Sequence, residues 1–159
     1  MKIFISHKNE DALVAHRLER RLSQMHGISS YLDVIDPQIG KPIEELAEHI
    51  RNRMGQCTQL IAVVSRTTAI SQWVPWEIGV ATEKEFPLAT YAVDGAIPPE
   101  FLRKWPYLRS DEDLDTYVRV SRNTQRTYTA ARATLTEATA RSRATKSFFA
   151  ELRRELHQS

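Results

Sequence analysis

The segment Ser71-Gln72-Trp73-Val74-Pro75-Trp76-Glu77 holds the residues best suited to chemistry. Pro75 lacks an N–H and is tolerated only where a helix has no partner for one. A helix therefore begins here, and Glu77 falls in or just after its first turn. The positive end of the macrodipole favours an ionised carboxylate at that position. Trp73 lies four residues before Glu77 and Trp76 one before it, so an anionic point stands beside flat apolar walls. That combination suits a flat, partly cationic ring system. A structural reading also stands, because first-turn acids commonly just complement the dipole and tryptophans are usually core.

Other candidates are weaker. Ser6, His7 and Lys8 follow an apolar run and either donate hydrogen bonds to a phosphate or ribose or, in the case of His7, form an exposed turn. Asp33 either anchors the loop after it or bonds a ligand hydroxyl. Gly40 and Lys41 form either a lid with a basic tip or a turn that opens the next helix. His16, His26, His49 and His157 have no carboxylate or cysteine partners at metal-ligand spacing and read as surface, so no metal is expected. A Gly-rich phosphate loop, a serine nucleophile elbow and an HExxH run are all absent.

These residues must be positioned by alternating strands and helices. Ile3 to Ser6 reads as a short buried strand. Asn9 or Asp11 caps the helix after it, with Leu13, Val14, Leu18 and Leu22 on one face and Gly27 as its stop. Ile28 to Val34 is a second strand, and Asp36 to Pro42 is a loop by its proline and glycine content. Ile43, Leu46, Ala47, Ile50 and Met54 recur at helical spacing. Gln59 to Ser65 is the most hydrophobic strand, which puts it at the centre of a sheet buried on both faces. A helix from about Val74 to Glu85, a strand from Pro87 to Val93 and a short edge strand at Tyr107 to Ser110 complete the set. Strands separated by helices imply an α/β chain with a parallel sheet. For five such units the flavodoxin-like three-layer fold, in order 2-1-3-4-5, is expected. Winding then reverses between the first and third strands, and a ligand crevice opens beyond their carboxyl ends.

The chain has 159 residues, which suits a single globular unit, and its net charge of +2 is too small to make nucleic acid the default partner. The charge is unevenly spread. Residues 122–159 carry eight basic and three acidic side chains, net +5, against −3 for 1–121. We divide the chain there, into a domain at 1–121 and an amphipathic helical extension at 122–159. After Pro106 no proline or glycine interrupts the sequence. Tyr128, Ala131, Leu135, Ala138, Ser142, Thr145, Phe149, Leu152 and Leu156 form a heptad-like seam, either folded back on the domain or used for self-association or a partner groove. The apolar run Leu60 to Val64 is too short to cross a bilayer, and the first residues lack a secretory h-region. Cys57 is the lone cysteine, so no internal disulfide forms. A cytoplasmic protein without membrane contact is expected.

Taken in order, Phe4-Ile5-Ser6-His7 with Asn9-Glu10-Asp11, then Tyr31-Leu32-Asp33 with a loop ending Gly40-Lys41, then Leu60 to Ser65, then Ser71-Gln72-Trp73 through Trp76-Glu77-Ile78, resemble a Toll/interleukin-1 receptor (TIR) domain. The likeness runs from about Lys2 to Tyr117. It implies the same flavodoxin-like sheet and two kinds of work. Receptor and adaptor members assemble by TIR–TIR contact, and bacterial, plant and axon-degeneration members also cleave NAD+ at the nicotinamide–ribose bond. Trp73 and Glu77 match the catalytic members, whose third-helix glutamate often follows a tryptophan four positions earlier. The resemblance therefore implies Glu77 as catalytic, with Trp73, Trp76, Ser6, His7, Lys8, Asp33, Gly40 and Lys41 at the substrate. NAD+ is then a substrate and no cofactor is needed. A homo-oligomer is expected, as is a separate effector that senses the product, because standalone members of this size resemble the TIR proteins of Thoeris-type antiphage systems. The long helical tail departs from the minimal domain. A binding-only scaffold is the alternative, and a nucleoside deoxyribosyltransferase, which shares a related sheet, is a remote third.

Overall fold

The computed structural model describes residues 1–34, 43–66 and 73–158. Ten main elements follow in chain order: β1 (Lys2–His7), α1 (Ala12–His26), β2 (Ser29–Val34), α2 (Ile43–Gly55), β3 (Gln59–Val64), α3 (Trp73–Glu83), β4 (Leu88–Ala92), β5 (Tyr107–Leu108), α4 (Asp111–Ala131) and α5 (Glu137–Glu155). The sheet has the expected order, β2-β1-β3-β4-β5, with every neighbouring pair parallel.

Alternation along the central strands builds two cores. Ile3 and Ile5 of β1 and Ile61 and Val63 of β3 point into a cluster with α1, α4 and α5. Phe4, Leu60, Ala62 and Val64 point the other way, against α2 and α3. Helices on both faces make β3 a continuous apolar run with no solvent side. In α1 the buried stripe is Ala15, Leu18 and Leu22. Leu13, expected on that face, is exposed.

Gly27 closes α1 at φ +62, with its N–H donating to the carbonyls of Leu22 and Ser23. A Cβ there would meet nothing within 4 Å, so the penalty for Ala is purely conformational. Gly27→Ala should cost about 1 kcal/mol in urea unfolding. The third helix ends two residues earlier than the periodicity predicts, because Glu85 turns left-handed at φ +54. The Phe86 N–H then reaches back to the Ala81 carbonyl and the Glu85 N–H to Thr82, the pattern of a Schellman stop.

The last fifty residues are two helices rather than one. The charge division at residues 121 and 122 falls inside α4, which begins at the cap Ser110, whose hydroxyl accepts from the Asp113 N–H at 3.2 Å. The second helix starts at Thr136, whose side chain accepts from the Thr139 N–H. Past that restart the predicted seam largely holds, with Thr145 and Leu152 buried and Phe149 and Leu156 packed on the core. Ala140, Ala144, Thr145, Phe148 and Leu152 are buried, whereas Ala138 is exposed. Phe148 and Leu152 join the β1 and α1 core, so the tail folds back on its own domain. At the sheet edge, the Gln158 carboxamide bonds both backbone groups of Tyr107, accepting from its N–H at 3.1 Å and donating to its carbonyl at 2.5 Å.

His26 corrects the surface reading made for it. Its Nε2 lies 2.7 Å from Asp115 Oδ1, and Arg21 clasps the same carboxylate through Nε at 3.0 Å and Nη2 at 2.6 Å. The Arg21 hydrogen bond, helped by His26 and opposed by desolvation, pulls the Asp115 carboxyl down to about 2. A carboxylate depressed below its unfolded value of about 3.9 stabilises the fold above that pH, and the contribution disappears as pH falls toward about 2. Because the Asp115 side chain is 38% exposed, solvent screening holds the contribution to about 1 kcal/mol. Urea midpoints should fall more steeply between pH 4 and pH 2 in the parent than in Asp115→Asn, and parallel curves would exclude this linkage.

Candidate active site

Two structural facts bring Ser6 and Glu77 together. The pleat of β1 turns Phe4 and Ser6 to the face covered by α3. The helix in turn presents Glu77 to the strand. Pro75 is the third residue of α3 and Glu77 the fifth, so the carboxylate stands just after the first turn, where the dipole's benefit has already fallen off. Its resolved support is instead the Ser6 hydroxyl, which donates to Oε2. Glu77 is 0% exposed. A carboxylate held in so little water keeps its strength as an electrostatic partner. Removing the donor with Ser6→Ala should cost about 1–3 kcal/mol in chemical unfolding, the range for a hydrogen bond to a buried acceptor.

The same pleat turns His7 to the opposite face of the sheet from Ser6. It is buried rather than an exposed turn, and its Nδ1 lies 3.3 Å from the Ile5 carbonyl. Lys8 is largely covered and lies 3.9 Å from Glu10. Asp33 is the register partner of Ser6 on β2, although its side chain lies outside the described residues. So do Gly40, Lys41 and the Trp73 side chain, while the Trp73 backbone opens α3. Trp76 is turned roughly 100° from Glu77 around the helix, and it lines the groove between α2 and α3 beside Ala47 and Arg51.

Asp11 is the residue that sequence reasoning assigned differently. It occupies the N-cap position of α1, but its side chain makes no cap bond. A 3₁₀ turn at Asn9–Asp11, closed by the Asp11 N–H on the Lys8 carbonyl, precedes the helix. The buried Asp11 carboxylate instead accepts from Ser65 Oγ at 3.0 Å. This bond bridges the segments that leave β1 and β3, on the rim of the crevice that the topology predicts. No local signal separates it from an ordinary cap, because its partner is 54 residues away.

A family model described as a TIR domain matches residues 3–136. The chain belongs to the TIR domain family. The match runs through α4, so the family's domain extends beyond the stretch where the motifs are legible. One curated protein similar to this TIR domain is the probable 3' cyclic ADP-D-ribose synthase ThsB' of Bacillus cereus (strain MSX-D12). It is 36% identical over 80 residues, which is 48% of this chain and 41% of that protein's length. The 2-deoxyribosyltransferase of Bacillus psychrosaccharolyticus has a similar structure, with a TM-score of 0.57 at 13% identity, covering 72% of this chain and 90% of that one. That second likeness is one of fold alone. Among the described residues of this TIR domain, no helix is long and apolar enough to cross a membrane.

Proposed function

We propose that this TIR domain cleaves the bond between nicotinamide and ribose in NAD+, with Glu77 as the catalytic carboxylate. The observation that carries this reading is the buried Ser6–Glu77 pair at the point where the winding of the sheet reverses, the place where open α/β sheets bind ligands. Ordinary glycoside hydrolysis needs a second carboxyl to protonate the leaving oxygen. The nicotinamide ring nitrogen is already cationic, so the bonding electrons pass to it and nicotinamide leaves neutral without an acid. Glu77 holds the ribose hydroxyls and stabilises the positive charge that develops on the ribose carbon. Trp73 packs on the ring or ribose, and Ser6 fixes the carboxylate. Lys8, Asp33, Gly40 and Lys41 complete the substrate contacts.

Water attack gives ADP-ribose and a proton. Attack from a hydroxyl or the adenine ring of the same molecule gives a cyclic isomer, and an external nucleophile gives a conjugate. The name carried by the Bacillus cereus relative favours the cyclic product. The product serves as a signal to a separate effector in bacterial antiphage defence, and activity depends on a homo-oligomer formed through TIR–TIR contacts. NAD+ is the substrate and no cofactor enters.

The complete burial of Glu77 also fits a scaffold in which the Ser6–Glu77 bond merely ties α3 to β1. Incubation with NAD+ and mass analysis of the products, in parallel with Glu77→Gln, separates the two. Nicotinamide release that survives the replacement rules out the proposed mechanism. No release from the parent in any assembly state supports the scaffold.

A further inference from the structure

At the end of the sheet opposite the Ser6–Glu77 pair, where β3 and β4 begin, lies a cavity of about 550 Å³. Its walls come from the entry to β3, the turn after α3, and the facing sides of α4 and α5. The volume is ordinary for a small-molecule site.

Three observations mark it as more than a packing gap. First, Thr124, 7% exposed, lines the cavity, and its Oγ1 has no hydrogen-bond partner among the described residues. Ser121, one turn earlier, is fully buried in the same wall, and its hydroxyl adjoins Tyr117 without meeting hydrogen-bond geometry. Buried hydroxyls without partners are uncommon in native proteins and point to a missing polar guest. Second, the wall includes Glu85 in its left-handed conformation, and Thr145 Oγ1 of α5 donates to the Glu85 carbonyl at 2.7 Å. That bond braces the left-handed stop of α3 against α5 across the cavity wall. Third, the charged lining balances, with Glu83 and Glu85 against Lys84 and Arg141. Nothing there selects an anion, while hydroxyls, amides and the aromatic rings of Phe86 and Tyr128 remain as the recognising chemistry.

We propose that this cavity is a second binding site, for an uncharged nucleoside: a flat ring to lie on the aromatic wall and a hydroxylated sugar to satisfy the buried hydroxyls. The α3 helix connects the two ends of the molecule, with Glu77 near its start and the strained turn at its finish. A bound nucleoside would therefore bear on the helix that carries Glu77.

The test titrates adenosine, uridine and AMP into the ¹⁵N-labelled full chain and follows amide shifts. Adenosine or uridine should perturb Thr58, Thr124 and Thr145, and AMP should bind more weakly because the lining offers its phosphate no net positive charge. Thr124→Val, which keeps shape and removes the hydroxyl, and Gln125→Trp, which plugs the exposed rim, should each weaken binding about tenfold. The readout is binding rather than turnover, so it stands apart from NAD+ cleavage. Shifts centred on Ser6 and Glu77, unaltered affinity in both cavity variants, or no shift up to about 10 mM of either nucleoside would overturn the proposal.

Discussion

Glu77→Gln is expected to lower nicotinamide release from NAD+ by about 10²- to 10³-fold, the scale of losing one preorganised electrostatic group. The change keeps the side chain's shape, and its amide oxygen can still accept from Ser6. It removes a charge from a site that is 0% exposed, where desolvation works against an ionised group. The melting temperature should therefore stay level or rise while turnover collapses. That opposition is the diagnostic result, because a carboxylate retained only to tie α3 to β1 would show no loss of turnover on replacement. Equal loss of stability and activity would indicate unfolding instead, and Ser6→Ala, which leaves the carboxylate in place, is the internal comparison.

The second large effect is on stability. Phe148→Ala is expected to cost about 3–5 kcal/mol, the usual cost of emptying a buried aromatic site. Phe148 is fully buried, meets Tyr117 edge-on at 5.6 Å and 89°, and packs against Phe149 at 5.5 Å. Its neighbours in the core include Ile3 and Ile5 of β1, so the loss is global rather than a fraying of the last helix. Fluorescence and circular dichroism should report one coincident urea transition, since α5 docks within its own chain. A cost below about 1 kcal/mol would mean that α5 is not seated in this core.

What could be read in advance, and what could not, follows from the range of the interactions. The run Leu60 to Val64 identifies a central strand because burial on both faces suppresses alternation, and parallel neighbours demand the helical crossovers that fix the order. Pro75 locates the start of α3, and so Glu77, from a local rule. The Asp11–Ser65 bond and the His26–Asp115 pair join residues 54 and 89 positions apart, and nothing in either neighbourhood announces them. The break between α4 and α5 lacks glycine and proline, so the pattern reads as one helix. Its signal is Thr136 ahead of Glu137, a cap followed by a first-turn acid. Ser6 and His7 read alike in the sequence, as candidate ligand contacts at the end of β1, yet the pleat sends them to opposite faces.

The carboxamide of Gln158 has a consequence for how copies of this chain can meet. An edge strand is a template, and its outward N–H and C=O groups invite another strand to extend the sheet. At β5 the outward pair on Tyr107 is already occupied by one side chain that imitates the missing peptide group. The strand is also only two residues long. Sheet continuation from one molecule into the next is therefore closed off on this side, and any contact between copies is left to helical faces, loops or the β2 margin.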